Sequence, residues 1–479
     1  MEWKRKIWRN WEDSYQCVAE VVTANTVEDL RLVIEKARAE GKTIRVSGGG
    51  RPEAYSASFS GSPIVKNAEN VIVRTPLLNR VWTLDDGSNR VTAEGGATLK
   101  ELDAVLHRNR LSLLTSTAPN FITVAGAVAL SCHGCGKHTG TLSDLVVGMT
   151  ILDGEGRLVE IGEDDPELLR AARVNLGALG IIINVTFQCE PEFKLVATDT
   201  GKVSVREALD RAQHLYETHD YLEYFWYPFC DKVWVKTWDR VSGEVKNVKA
   251  PGRLEDFKQR MLGVTSDAIL KVATNLPFFT PIMQKTLMAA TPEQTMVAPA
   301  YEVFHYQNYF PRRLYDLSYA IDTGEDFSNF RSAFEFVTAK VCEYAKPKRS
   351  CTSPWGFEYK RGRQFVQNFI MHCRFIRNSD AFLAPAVGNH YTCMFEAVTY
   401  VGTPSKQYYE EVEAHWLALG GRPHWGKTYN PDLDFRALYG SNWDAFNRIR
   451  QRMDPEGLFL NDFTRHVFQV EKAGAVAPA

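Results

Sequence analysis

The sequence predicts an α+β fold. Three observations carry that reading. A helix-patterned segment near residue 30 feeds a short strand that runs directly into three consecutive glycines. Short β-type segments then follow one another, interrupted by single helices rather than alternating with them one for one. From about residue 197 the strands become longer and rich in aromatic residues. At 479 residues the chain is long enough for two or three domains, taking about 150 residues for each.

The elements can be justified in order. Thr26 and Asp29 form a capping pair, Leu30, Val33, Ile34 and Ala37 recur at helical spacing, and Gly41 is a natural stop. Residues 43–47 alternate as a strand. Short strands are expected over 64–65, 71–74, 81–84 and 90–93, and a helix over 99–107 after Gly95-Gly96. Segments 145–152 and 157–161 flank Asp153-Gly154 as a hairpin, 166–173 reads as a helix, and a β-branched stretch ends at Glu190-Pro191. Beyond it come a helix over 205–218, an aromatic strand over 221–227 broken by Pro228, and a strand over 232–238 that pairs back. Strands over 314–321, 365–376 and 391–399 alternate with helices over 327–344 and 406–419. Between 240 and 300, Lys, Gly and Pro punctuate helices, and Phe278-Phe279, on an exposed-looking loop, is expected in buried core rather than in a membrane-facing or partner-facing patch.

Lys plus Arg number 56 and Asp plus Glu 58, so the net charge of -2 gives no steering argument for nucleic acid or an anionic membrane. With 44% apolar and 24% charged residues, the composition excludes a disordered or collagen-like chain. The N-terminal segment lacks an apolar signal core, and the nine scattered cysteines do not form a disulfide scaffold, so a cytoplasmic protein with reduced thiols is expected. Residues 111–136, 26 in a row, contain no Asp, Glu, Lys or Arg. Their Ser, Thr, Asn, His and Pro residues argue against a membrane span. No metal site is expected, because the Cys132–Cys135 pair has no second ligand pair at comparable spacing.

Three segments carry chemistry. The bare backbone of Gly48-Gly49-Gly50 suits a phosphate nest, or simply a tight turn. The end of the neutral run, Val124 to Gly136, is rich in small residues that let a planar ring lie against backbone, and its lack of carboxylates suits a group that becomes anionic. His133 there reads as a base, a ligand or a packed structural side chain. Near the C-terminus, Arg422-Pro423-His424-Trp425-Gly426-Lys427 forms a compact cationic corner.

In their order these segments resemble the vanillyl-alcohol-oxidase (PCMH-type) FAD flavoproteins, within them the aldonolactone oxidoreductase and alditol oxidase branch. The resemblance rests on Ile44 to Gly50, Thr92 to Ala97, Ile122 to Gly136, Asn175 to Ile182, Tyr224 to Pro228, His424 to Lys427 and Asp454 to Asn461. It implies a two-part FAD-binding domain over 10–195, a cap domain with an antiparallel sheet over 196–425 with an unmatched insert at 240–360, and a segment over 426–479 that returns to the FAD domain. It further implies that Ser47, Gly48, Gly49, Gly50, Arg51 and Pro52 cradle the pyrophosphate. Thr123, Gly126, Ser131, His133, Gly134, Cys135, Gly136, Lys137 and His138 would line the flavin, and Gly177, Gly180, Ile181 and Ile182 the adenine side. Lys427 would meet both flavin and substrate.

Two departures from the family pattern shape the functional expectation. Arg51-Pro52 stands where many relatives carry a flavin-linked histidine, so FAD is expected to be non-covalent, with Cys132 or Cys135 as the alternative attachment. On the cap strand, His372 replaces a glutamate beside Arg374, and Phe395 replaces a histidine. The expected protein is therefore an FAD-dependent oxidase or dehydrogenase that takes hydride from a CH–OH or activated C–H group. Lys427, Arg374 and His372 would be catalytic, and Thr123, Trp226, His372, Arg374, Phe395 and His424 would face a small-molecule substrate. The electron acceptor is oxygen or another molecule. The pocket is expected to be more apolar than one built for a polyol, leaving open a larger apolar natural product as substrate, or a flavin-binding protein without turnover.

Overall fold

The helix that begins the chain's regular pattern forms as its sequence dictates. Thr26 caps Val27–Ala39, its side chain accepting from the Asp29 N–H while Asp29 reaches back to the cap. Leu30, Val33, Ile34 and Ala37 are buried on one face. The computed structural model describes residues 1–10, 15–47, 55–56, 71–84, 86–198, 200–241, 268–291, 297–305, 314–352 and 358–471. The glycine loop 48–52 and the strand expected at 64–65 lie outside these residues.

Two sheets occupy the first part of the chain. In one, Ile44–Ser47, Val71–Arg74 and Gln16–Thr23 run parallel, and Trp3–Asn10 pairs antiparallel to Gln16–Thr23. The second sheet is antiparallel, in the order Leu158–Ile161, Val146–Leu152, Ile181–Gln188, Arg90–Glu94, Val81–Thr83. The expected hairpin and the strand segments 71–74, 81–84 and 90–93 are thus present. The two N-terminal strands were not anticipated. Their alternating exposure leaves Ile7 and Val18 in solvent, so no clean apolar period marks them.

A third, antiparallel sheet holds the second half. Its order is Val297–Pro299, Lys194–Ala197, Lys232–Val241, Tyr221–Trp226, Met371–Arg377, Tyr391–Tyr400, Leu314–Asp322 and Arg422–Pro423. The segment expected as a strand over 365–376 enters the sheet only at Met371. Helices Val205–Thr218, Ser328–Tyr344 and Lys406–Ala418 bury apolar faces in the same core as the sheet. Phe330 packs on Phe375 and Phe395, and Trp416 on Tyr319 and Phe395.

One core expectation is corrected. Phe278 and Phe279 form a short turn, Pro277–Phe279, and are 60% and 43% exposed. Pro277 and Pro281 fix the chain direction there, and the inward positions go to neighbouring residues such as Leu270, Thr280 and Gln284.

Candidate active site

Strand alternation divides the third sheet into two chemically different faces. The register places His372 opposite Glu396 and Phe225, and Arg374 opposite Glu223. Lys236 pairs with Glu223, and Ser318 with Glu396. Residues directly opposite one another share a face. One face therefore gathers Glu223, Phe225, Lys236, His372, Arg374, Glu396 and Asp316. The other carries Trp226, Cys373, Phe375 and Phe395 into the apolar core.

This corrects two expected substrate contacts. Phe395 is fully buried against Phe330 and Trp416, and Trp226 packs near Phe334 and donates its indole N–H to the Cys230 carbonyl. The side chains that reach the polar face instead are their sequence neighbours, Glu396 and Phe225. Phe225 stacks on the His372 ring at 4.1 Å between centroids and 17° between planes. The expectation of an apolar pocket without a carboxylate falls with this. A narrow cleft beside the cluster is lined by Ser116, Gly134, Cys135, Tyr221, Glu223 and Arg374, among others.

The buried charges are paired. Arg374 donates from Nη2 to Glu396 Oε1 at 2.7 Å and from Nη1 to the His133 carbonyl at 3.1 Å. His372 lies between two carboxylates, with Nδ1 3.1 Å from Glu396 and Nε2 3.4 Å from Glu223. Lys236 sits 3.5 Å from Glu223 and about equally close to the rings of Phe225, Trp234 and Trp238. Lys427 Nζ contacts Asp316 Oδ2 and lies 3.2 Å from Glu396.

The corner holding Lys427 is strapped along the strand Leu314–Asp322. The His424 N–H donates to the Ser318 carbonyl and the Thr428 N–H to the Asp316 carbonyl, while Trp425 is locked between Phe435 and Tyr439. Lys427 thus arrives beside Asp316 from a part of the chain about a hundred residues away.

These surroundings set the charges. Burial opposes ionisation of Glu223, but Lys236, His372 and Arg374 outweigh it and hold that carboxyl at about 2. Glu396 is likewise held well below the usual range by Arg374 and Lys427 in spite of its burial. Burial pushes Asp316 up to about 6, against the pull of Lys427 and with the help of Glu396. Burial also works against the Lys427 ammonium, yet Asp316 and Glu396 raise it above the ordinary lysine range. The corner is less cationic than expected, because burial and Lys427 hold His424 down to about 3 and leave its ring neutral. Its Nδ1 accepts from the Gly426 N–H.

The neutral run faces this cluster. Thr123 caps Val124–Ala129, its hydroxyl accepting from the Gly126 N–H. Ser131 takes a left-handed backbone at φ 58°, a strained choice for a residue with a Cβ. The His133 ring lies 5.3 Å from the His424 ring, and burial, Arg374 and His424 hold it neutral. A Cβ on Gly134 would meet the Ser116 carbonyl at 2.2 Å, so only glycine lets the loop pass there. Burial pushes the Cys132 thiol up to about 11 and Cys135 well above its usual value.

The other residues expected at the flavin have the following partners within the chain. Lys137 donates to the Glu217 carbonyl in the helix Val205–Thr218 and His138 bonds Asp220 just beyond it, so both side chains fasten the loop to that helix end. The Gly136 N–H donates to the Phe375 carbonyl. Gly177 lies against Arg45, which donates to the Leu176 carbonyl, and Gly180 passes the Leu152 carbonyl where a Cβ would sit at 2.3 Å. Ile181 and Ile182 begin the strand beside Val146–Leu152, and Ser47 is buried at the end of its own strand. Gly48, Gly49, Gly50, Arg51 and Pro52 lie outside the described residues. Sequence reasoning missed Glu223, Glu396, Asp316 and Lys236. The strand period anchored on His372 and Arg374 was the available signal, but it needed the pairing register.

A flavin ring would fit the neutral loop on independent grounds. Ser116 Oγ, Ser131 Oγ and His133 Nε2 are buried there without a hydrogen-bond partner among the described residues, and buried polar atoms rarely stay so. A heterocycle with donors and acceptors along its edges would satisfy them, and Ser131, Cys132 and Gly134 offer little bulk against it. Among the described residues no group of His, Cys, Asp and Glu could hold a metal ion.

Comparison with known proteins gives the same outline. A family described as FAD binding domain matches residues 18–162, and one described as D-arabinono-1,4-lactone oxidase matches residues 185–467. The chain is 30% identical over 465 residues to an L-gulono-1,4-lactone dehydrogenase of Mycobacterium tuberculosis, covering 96% of this chain and 99% of that one. It is 27% identical to the L-gulonolactone oxidase of Bos taurus, with 96% and 98% covered, and 23% identical to the D-arabinono-1,4-lactone oxidase of Saccharomyces cerevisiae, with 95% of each covered. Among solved structures, a cholesterol oxidase from B. sterolicum shares the fold with a TM-score of 0.77 at 17% identity, covering 98% of this chain and 97% of the other. The match across the site-bearing half, joined to the FAD-binding half, places the chain in the D-arabinono-1,4-lactone oxidase family of FAD-dependent oxidases and dehydrogenases.

Proposed function

We propose that the protein oxidises a CH–OH group of a hydroxylated sugar lactone bound between the neutral loop and the polar face of the third sheet. The observation that carries this reading is the buried Arg374–Glu396–Lys427 array beside the His133 carbonyl. An array of charges and hydrogen-bond groups matches a polar substrate rather than an extended apolar one. The relatives named for gulonolactone and arabinonolactone oxidation support the same class.

FAD, when bound, supplies the two-electron acceptor that takes hydride from the substrate carbon. The chain's own residues do the rest. Lys427 has the most accessible side chain of the paired cations, 20% exposed against 8% for Arg374, so it meets the substrate oxygen. The hydroxyl proton leaves through the Lys427 ammonium toward Asp316, whose raised carboxyl is the better proton acceptor of the cluster. This moves the base role away from His372. With Glu396 3.1 Å from Nδ1 and Glu223 3.4 Å from Nε2, His372 sits between the two carboxylates as a positioning residue. Arg374 and Lys427 stabilise negative charge on substrate oxygen without having to reorganise.

FAD is held without a covalent bond. Arg51 stands where an imidazole would be needed, and the Cys132 and Cys135 thiols are kept protonated by burial. Acid precipitation tests this directly: flavin released to the supernatant fits, and a yellow pellet overturns it. The activity itself is tested by adding L-gulono-1,4-lactone and D-arabinono-1,4-lactone to the yellow protein without oxygen. Bleaching of the flavin absorbance is expected. A flavin that dithionite reduces but neither lactone does would refute the substrate class.

A further inference from the structure

We propose that Glu413, on the helix Lys406–Ala418 behind the third sheet, is a positioning residue that fixes the contact between Asp316 and Lys427 on the sheet's polar face. The inference rests on the reading that these two residues take the hydroxyl proton. Glu413 is 8% exposed, and no lysine or arginine pairs with it among the described residues. Burial pushes its carboxyl above the usual carboxylate range. A carboxyl buried without a cation is costly unless its hydrogen bonds offset the loss of water. Those bonds are two, and both end on Oε1. The Tyr319 hydroxyl donates to it at 2.5 Å and the Asn430 N–H at 2.8 Å.

The two donors belong to the two segments that carry the proton-handling pair. Tyr319 lies three residues beyond Asp316, and Asn430 three beyond Lys427. The segments run side by side, with Leu317 bridging Thr428 and the Thr428 N–H donating to the Asp316 carbonyl. Strand alternation sends Asp316 to the polar face and Tyr319 to the apolar one, where its ring packs on Trp416. Glu413 therefore holds from behind the junction that Asp316 and Lys427 close in front. One oxygen that accepts from both segments couples the strand to the corner, because moving either segment breaks one of its bonds. The coupling has a chemical consequence. Burial and Glu396 raise the Asp316 carboxyl, Lys427 and Arg374 lower it, and the Tyr409 hydroxyl faces it from the helix. The groups around Glu413 itself are Tyr319 and Glu410. A corner that drifts takes the Lys427 ammonium away and lets Asp316 rise further.

The test is anaerobic flavin reduction by the lactone across pH, in FAD-loaded wild type, Glu413→Ala, Glu413→Gln and Tyr319→Phe. Glu413→Ala should slow reduction about 10- to 100-fold and move the inflection near pH 6 upward by about one unit. Glu413→Gln keeps an oxygen that accepts both bonds, so it should restore the rate and the inflection although it carries no charge. Tyr319→Phe keeps the packed ring and loses one donor, and should move the inflection the same way by less. A residue that only held the fold would lower the unfolding midpoint and leave the inflection in place. Wild-type inflections in both Glu413→Ala and Tyr319→Phe overturn the proposal, and where Glu413→Ala does not fold, Tyr319→Phe decides alone. A shift in Glu413→Gln as large as that in Glu413→Ala also overturns it, since charge rather than position would be the cause. Asp316→Asn separates the two readings. An inflection that survives it refutes the role of Asp316 and this proposal with it. Its loss there, beside wild-type inflections in the other variants, refutes the role of Glu413 alone.

Discussion

Arg374 reaches from the third sheet to donate a hydrogen bond to the main-chain oxygen of His133, 3.1 Å away. That one guanidinium joins the neutral loop to the charged face while its other arm holds Glu396. Arg374→Met removes one partner of a buried pair and should cost about 3–5 kcal/mol. Arg374→Lys keeps the charge but loses the planar fork and should cost less. Thermal unfolding of the two variants checks the order, and equal midpoints for wild type and Arg374→Met would contradict the contact.

Lys427→Met should leave FAD bound and slow flavin reduction by the lactone about 10²- to 10³-fold, the usual effect of removing one electrostatic donor. Stopped-flow absorbance reads this. An unchanged rate removes Lys427 from the mechanism.

Asp316 gives the reaction a pH signature. Its carboxyl sits at about 6, whereas His424 is held near 3 and His133 lower than usual. The rate of flavin reduction should therefore rise through about pH 6 as Asp316 ionises, and this inflection should vanish in Asp316→Asn. The stability effect has the opposite sense. A carboxyl raised from about 3.9 contributes stability that is complete below that value and lost as pH climbs through 6. An inflection that survives Asp316→Asn would assign the proton elsewhere.

Glu223 behaves in the reverse way. Its carboxyl is depressed to about 2, so its stabilisation is present above the ordinary value of 4.5 and lost as pH falls toward 2. The depression corresponds to about 3 kcal/mol. Glu223→Gln should lower stability at neutral pH and flatten its decline between about pH 5 and 2. Denaturant midpoints across that range decide it, and parallel curves for the two proteins would refute it.

Phe225 and Trp226 should separate function from fold. Trp226→Ala empties a core site and should cost about 3–5 kcal/mol, with normal flavin reduction in the protein that remains folded. Phe225→Leu releases the stacked His372 ring and should slow reduction with a smaller loss of stability. The reverse pattern would mean that the two faces are assigned wrongly.

The sequence made some of this readable and hid the rest for a definite reason. The capped helix Val27–Ala39, the hairpin around Asp153 and the aromatic strand Tyr221–Trp226 announce themselves through short-range signals: caps, turns and alternation. Lys427 stood out in the cationic corner Arg422 to Lys427, and Arg374 and His372 through the family pattern that the resemblance supplies. Glu396 and Glu223 were invisible because their role depends on which strand lies opposite, a relation spanning 22 to about 150 residues. Phe395 was carried over from the family pattern, which does not say which face of the strand it occupies. Strand periodicity says that two faces exist, and only pairing says which one is wet. Phe278 and Phe279 could be read as an exposed loop patch or as core, and the general burial of phenylalanine tipped the reading to core.

The alternation of the third sheet also governs how this protein tolerates change. Deleting one residue from Met371–Arg377 would shift its downstream residues by one register position and bring Cys373 and Phe375 to the wet side and Arg374 to the dry side. A charged guanidinium would then have to enter hydrocarbon. Gradual drift of the strand Met371–Arg377 by insertion or deletion is thus closed off. New substrate preferences must arise by replacing side chains in place, at alternate positions, or in the loops that leave the sheet.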